Sequence, residues 1–143
     1  MLVSSILRDK GREVLAVAPT ATLLEAARLL SANRIGALVV LNARGELAGL
    51  LSHGDVVRAL AEAEASALTL TMGSCMATNI ATCKESDTIA EIMETMTSCR
   101  FGHMPVMEKG QVVGIVSTGD VVKSRIAEAL RESQALKDFI ASK

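Results

Sequence analysis

The sequence predicts a mixed fold of α+β or α/β class, built from two repeated β-α-β-β-α units packed with pseudo-twofold symmetry. Three observations carry this reading. Gly49-Leu50-Leu51-Ser52-His53-Gly54-Asp55 recurs as Gly114-Ile115-Val116-Ser117-Thr118-Gly119-Asp120, and over Gly45 to Val57 against Gly110 to Val122, at an offset of 65, seven of thirteen positions are identical. Upstream the offset is 66, and Thr22, Glu25, Arg34, Gly36 and Val40 match Thr88, Glu91, Arg100, Gly102 and Val106. Helix-like and strand-like hydrophobic patterns also alternate in the same order in each half. A period this long that repeats only twice predicts two homologous subdomains, residues 1–65 and 66–143, rather than a solenoid.

Each unit's elements follow from local chemistry. Short helices are expected near Val3 to Leu7 and Met72 to Met76. First strands are expected at Val14 to Val17 and Ile80 to Cys83. Thr22-Leu23-Leu24-Glu25 and Thr88-Ile89-Ala90-Glu91 are capping boxes, in which the threonine accepts from first-turn N–H groups and the glutamate reaches back to the cap. Behind them Leu23, Ala26, Ala27 and Leu30 match Ile89, Ile92, Met93 and Met96, the i, i+3, i+4, i+7 stripe of a helix with one apolar face. Ala37 to Leu41 with Glu46 to Leu51, and His103 to Met107 with Gln111 to Val116, read as hairpins whose tips end in glycine; the one-residue change of offset falls there. Pro105 cannot donate to a ladder, so it must sit where its strand is unpaired or faces a ligand. A second helix starts near Asp55 and near Asp120, and the alanine-rich Ala61 to Thr71 is expected to prolong the first of these. The last helix carries Val122, Ile126, Ala129, Ser133, Leu136 and Ile140 at alternating four and three spacing. That pattern fits a self-association seam or a helix lying on its own domain.

Composition narrows the function. The chain has 143 residues, half of them apolar, enough for one core or two small cores sharing an interface. Fifteen basic and sixteen acidic residues nearly cancel, and only Phe101 and Phe139 are aromatic, so neither the electrostatic footprint nor the stacking platform of a nucleic-acid binder is present. The longest apolar runs, such as Ile35 to Leu41, are strand-sized, so no membrane partner is expected. The N-terminus lacks the charged and apolar regions of a secretory signal, which leads to a cytoplasmic expectation. Cys75, Cys83 and Cys99 form no CxxC spacing and are expected to be reduced, buried thiols. His53 and His103 are the only imidazoles and lack a sequence-local ligand set, so no metal is expected. No nucleophile motif, P-loop or GxGxxG is present, and the protein is expected not to be an enzyme.

The repeated unit, with its T-h-x-E helix start, R-h-G-x-h strand start and G-h-x-S-x-x-D turn (h, apolar), resembles the cystathionine-β-synthase (CBS) domain, and the tandem pair resembles a Bateman module of the stand-alone bacterial type. The resemblance covers nearly the whole chain. It implies a regulatory module, not an enzyme, that binds an adenine nucleotide or related adenosine ligand between the two units and pairs into disc-like homodimers, or tetramers. The serine and aspartate of the turn also match a helix-capping pattern and could do nothing more. Flanking glycines, a strand end and a helix N-terminus make close backbone approach and anion binding feasible there. A carboxylate so placed can accept both hydroxyls of a ribose, which assigns Asp55 and Asp120 to ribose. By analogy with the family, Ser52, Ser117 and Thr118 offer hydroxyls to phosphate or ribose, and His103, Arg100 and Arg34 are the basic candidates for phosphate.

Two departures qualify the resemblance. Many relatives carry a basic residue immediately before the aspartate, where this chain has Gly54 and Gly119, so a monophosphate is favoured over a triphosphate. AMP is therefore the first ligand, with ADP, ATP, NAD and S-adenosylmethionine as the others. Ala37 stands where the second copy has His103, so one site, using Ser117, Asp120 and His103, is expected to be the stronger. With no aromatic placed to stack, adenine is expected between aliphatic walls formed by Val14, Val17, Ile80, Met104 and Pro105. The competing reading is a ligand-free assembly or protein-interaction module.

Overall fold

The computed structural model describes residues 1–142. Helix α1 (Val3–Lys10) leads into β1 (Ala16–Val17), α2 (Leu23–Asn33), β2 (Ala37–Leu41), β3 (Leu47–Ser52) and α3 (His53–Ala63). A 3₁₀ segment (Glu64–Thr69) and the short α4 (Met72–Cys75) join this unit to α5 (Ile89–Cys99), β4 (His103–Glu108), β5 (Gln111–Ser117) and the long α6 (Thr118–Ala141). The helix starts expected from the capping boxes are present: Thr22 Oγ1 accepts from the Glu25 N–H at 3.2 Å, and Thr88 Oγ1 from the Glu91 N–H at 3.1 Å. Both α2 and α5 end on an arginine in the left-handed region, Arg34 at φ 52° and Arg100 at φ 58°.

β1 pairs parallel with β2, which pairs antiparallel with β3, while β4 and β5 form a separate antiparallel hairpin. Both hairpins carry a register shift at matched positions, between Val40 and Leu41 and between Val106 and Met107. The difference between the sheets comes from Pro105. In the first unit the Val39 N–H donates to the Leu15 carbonyl at 3.2 Å and holds β1 in place. Pro105 occupies the matched position and has no N–H, so the expected strand at Ile80 to Cys83 is reduced to one bridge between Cys83 and Val106. The Pro105 carbonyl still accepts from the Cys83 N–H at 3.0 Å. The expected strand at Val14 to Val17 is likewise shortened to Ala16–Val17. The linker corrects another expectation: α3 stops at Ala63, where Glu64 turns to φ 55°, and the chain continues as the 3₁₀ segment.

Three apolar layers hold the molecule together. Leu23, Ala26, Leu30, Leu38, Val40 and Leu51 fill the core between the first sheet and its helices, joined by Met72 of α4. Ile89, Ile92, Met96, Met104, Val106 and Val116 fill the second core, joined by Val3, Ile6 and Leu7 of α1. The helix that opens each sequence repeat thus packs on the other repeat. Burial of each such side chain contributes about 1.5–3 kcal/mol. Between the sheets, Ala37, Val39 and Leu50 pack with Val14, Leu41, Leu47, Ile80, Val112 and Ile115. Of the cysteines, only Cys83 is buried; Cys99 is exposed, contrary to the expectation of three buried thiols. Burial, reinforced by the charge of Asp87, pushes the Cys83 thiol up to about 12, so it behaves as an inert apolar group.

Candidate ligand cleft

A hollow of about 680 Å³ opens between the two units. Its walls come from the segment after α1 (Lys10, Glu13, Val14, Leu15), from the α2–β2 junction (Asn33, Arg34, Ile35, Gly36, Ala37) with Val39, and from His103, Ile115 and Ser117 of the second unit. The volume falls in the range that takes a nucleotide-sized ligand. Gly36 permits the close approach that shapes it, since a Cβ there would lie 2.7 Å from His103 Nε2. His103 is half-buried, and burial is the main force holding its pKa below the ordinary 6.5. The charges of His53 and Lys10 add to that, and Asp120 opposes it. The two histidines approach each other across the units, yet among the described residues no cluster of three potential metal ligands forms.

The two repeated turns differ in their hydrogen bonds. Asp120 Oδ2 accepts from the Ser117 N–H at 2.9 Å and from Lys10 Nζ at 2.8 Å, while the Asp120 N–H donates to Ser117 Oγ at 3.2 Å. Burial works to raise the Asp120 pKa, but the Lys10 hydrogen bond, the Ser117 groups and the Lys10 charge together hold it below 3.8. Asp120 stands at the edge of a second hollow of about 260 Å³ between α1 and α6, and Lys10 lines both hollows. Asp55 is buried and enclosed: Oδ2 accepts from the Ser52 N–H at 2.9 Å and Oγ at 3.1 Å, and Oδ1 from Arg58.

The structure gathers Ser117, His103, Arg34 and Val14 in the cleft and sets Asp120 one hydrogen bond behind Ser117 and Lys10. It does not bring the remaining candidates there. Asp55 and Ser52 bond one another, and Thr118 Oγ1 donates to the Gly102 carbonyl at 3.3 Å. Arg100 is exposed at the end of α5, outside the cleft lining. The expected adenine walls need a sharper correction. Met104 is buried in the second core, and Val17 packs against the first core. Ile80 lies in the layer between the sheets, and Pro105, opposite Ile115 in the hairpin, is buried outside the cleft lining. Of the five, only Val14 faces the cleft, where Leu15, Ile35, Val39 and Ile115 supply the other apolar wall. Strand alternation is the signal that separates Met104 from His103, since successive side chains point to opposite faces. Lys10 has no such local signal, because its partners are more than a hundred residues away.

This architecture, a β-α-β-β-α unit and a second copy whose first strand is reduced to one bridge, with a cleft between them, defines a CBS-domain pair. The CBS-domain family model matches residues 3–62 and 72–127, and the chain belongs to that family. A CBS-domain protein of Agrobacterium tumefaciens has a solved structure that superposes with a TM-score of 0.85 at 41% identity, covering 87% of this chain and 99% of that one. The mitochondrial CBS-domain protein CBSX3 of Arabidopsis thaliana is 27% identical over 96% of this chain and 71% of its own length. The CBS domain pair of protein MJ0100, solved in complex with methylthioadenosine and S-adenosyl-L-methionine, superposes at a TM-score of 0.77 with 25% identity over 86% of this chain and 98% of that one. No helix among the described residues is long and apolar enough to cross a membrane.

Proposed function

We propose that this protein is a non-catalytic regulatory module that binds an adenosine-containing ligand in the inter-unit cleft, with AMP as the leading ligand. The observation that carries this reading is the composition of the cleft. Apolar side chains from both units face one another there, and Ser117, Arg34, His103 and Lys10 supply hydroxyl and basic groups around them. An apolar slot with a few convergent polar groups suits a flat base joined to a polar tail. The adenosine ligands of the MJ0100 domain pair support the choice of base. Asp120 is the ribose residue of this reading: Oδ2 is held by Ser117 and Lys10, leaving Oδ1 to accept from the diol. Because the cleft is built from both units, a ligand that prefers one mutual arrangement shifts the population toward it, and one that binds both equally shifts nothing.

Calorimetric titration of nucleotide-free protein with AMP, ADP, ATP, NAD and S-adenosylmethionine tests the proposal. Binding to the wild type that is lost in Asp120→Ala supports it. Silence from every ligand, with the protein folded, leaves the assembly-module reading in its place. A specific observation favours self-association as well: α6 exposes Val122, Ile126, Leu130, Leu136 and Ile140, while only Val121 of that helix is buried. Light scattering tests that reading, with a dimer expected and a monomer at high concentration counting against it.

A further inference from the structure

Lys10 occupies a position that the pseudo-symmetry of the fold leaves open. In the first unit the carbonyl of Leu50 accepts from the backbone N–H of Ala77 at 2.9 Å. The matched carbonyl in the second unit is that of Ile115. In the first unit α4 ends at Cys75 and leaves the Ala77 N–H free for this bond, whereas its counterpart α1 runs on to Lys10 and the Gly11 N–H is spent on closing it against the Leu7 carbonyl at 2.8 Å. The side chain of the preceding residue takes over: Lys10 Nζ donates to the Ile115 carbonyl at 3.0 Å and to Asp120 Oδ2 at 2.8 Å. An ammonium has three N–H donors, and two are fixed by these anchors. The side chain is 35% exposed and lines the cleft beside His103 and Ser117.

We infer that Lys10 is the specificity-determining residue of the cleft: its third N–H receives the phosphate of the bound ligand and makes the site select phosphorylated adenosine ligands over neutral or cationic ones. The inference rests on the adenosine-sensor reading and deepens it. Gly54 and Gly119 leave the two turns without a neighbouring basic residue, and Lys10 delivers the missing cation to the second turn from a distant segment of chain. His103 is less suited to this, since burial lowers its pKa and disfavours the charged imidazolium. Arg34 also lines the cleft but is exposed at the end of α2, whereas Lys10 is held by two fixed acceptors. A preorganised ammonium gives a charge-assisted hydrogen bond to an anion and repels a sulfonium. Since Lys10 is the last residue of α1, the same contact ties ligand occupancy to the helix that packs on the second unit.

The test is calorimetry of the wild type, Lys10→Gln and Lys10→Arg with AMP and with adenosine, with thermal melts to follow folding. The wild type should bind AMP at least about tenfold tighter than adenosine, in line with a charge-assisted hydrogen bond. Lys10→Gln should bring that ratio close to one by weakening AMP much more than adenosine, whose ribose contact through Asp120 also leans on Lys10, and Lys10→Arg should keep most of it. A Lys10→Gln protein that retains the ratio, or loses AMP and adenosine alike, overturns the assignment and leaves the adenosine-sensor reading standing. A wild type that binds neither overturns both. Should Lys10→Gln not fold, the side-chain ammonium resonance of nitrogen-labelled wild type decides: it should shift with AMP and not with adenosine, and an equal response to both overturns the assignment.

Discussion

In the first unit, the carboxylate of the repeated turn is closed off: Asp55 is buried, and both of its oxygens are taken by Ser52 and Arg58. In the second unit the carboxylate of Asp120 is held on one oxygen only, by Ser117 and by a lysine that reaches it from the far end of the chain. The position of Arg58 is matched by Lys123, which lies along the hollow behind Asp120 and forms no ion pair with it. Both turns thus cap their helices, but the first carboxylate is enclosed by its own unit while the second stands beside a cleft. Similar residues at matched positions do not assure similar chemistry; what neighbours each carboxylate decides which oxygen is left for a ligand.

The largest effect that separates the copies is expected at their matched glycines. A Cβ on Gly49 would meet Met76 Sδ at 2.5 Å and the backbone carbonyl of Ala77 at 2.7 Å; on Gly114 its three nearest neighbours would all be side-chain atoms of Leu7, the first at 2.7 Å. A side chain can rotate away, whereas the Ala77 carbonyl is fixed by its bridge to Leu50. Gly49→Ala should therefore cost about 1–3 kcal/mol and Gly114→Ala clearly less. Paired urea titrations check the order, and equal losses would break the claim that the two sheets are edged differently.

Next in size is the functional contrast between the aspartates. Asp55→Ala should lower stability by roughly 1–2 kcal/mol, through loss of a helix cap and exposure of an unpartnered Ser52 N–H, and leave AMP binding within about twofold. Asp120→Ala should weaken AMP by about tenfold or more, the range for a hydrogen bond to a charged group. Calorimetry and melting on both variants sharpen the comparison. Loss of AMP binding in Asp55→Ala, in a protein that remains folded, would contradict an enclosed first carboxylate.

Much of this arrangement is legible in the sequence, and the portion that is not has a common physical cause. The capping boxes at Thr22 and Thr88, the hairpins, and the glycines beside each turn are set by interactions a few residues apart, and they stand where the pattern puts them. Pro105 signals an interrupted ladder, and the weakened first strand of the second unit is the consequence. The expected adenine wall fails because it draws adjacent strand residues onto one face, although alternation sends Met104 into the second core and leaves His103 beside the cleft. Lys10 is beyond the reach of local pattern, since its role depends on α1 packing across to the other unit. Long-range placement of that kind has no periodicity to betray it.

A smaller effect is expected from pH. The His103 pKa is lowered in the folded protein, so below about 6.5 the unfolded chain takes up a proton that the folded one resists, and stability falls as the pH drops from 6.5 through the lowered value. Asp120 is also lowered, and its contribution, present above 3.8, is lost as pH falls from there through its folded value. The first window opens near 6.5 and the second near 3.8. In His103→Gln the first decline should vanish while the second remains, which melting temperatures from about pH 7 to about pH 3 would detect. Ala37 stands at the matched position of the first unit, so a decline that survives His103→Gln would contradict its assignment to the second copy's imidazole.

The smallest effect on stability is expected where the sheets differ most visibly. Pro105→Val would give β4 the N–H that Val39 supplies in the first unit, aimed at the carbonyl of Ala81, the residue that matches Leu15. One restored hydrogen bond contributes about 0.5–1.5 kcal/mol, and removing proline returns about 0.4–1 kcal/mol of freedom to the unfolded chain. These oppose each other, so the melting temperature should hardly move. Hydrogen exchange should nevertheless reveal the change, because the amide introduced by Pro105→Val and the neighbouring Cys83 amide would both lie within a continuous parallel ladder rather than at a single bridge. If the introduced amide exchanges as freely as a solvent-exposed one, the first strand of the second unit is kept short by something other than the missing donor. The asymmetry between the sheets would then have to arise in the chain leading up to Cys83 and just beyond it, where Glu85 is tied to both Arg12 and Glu108.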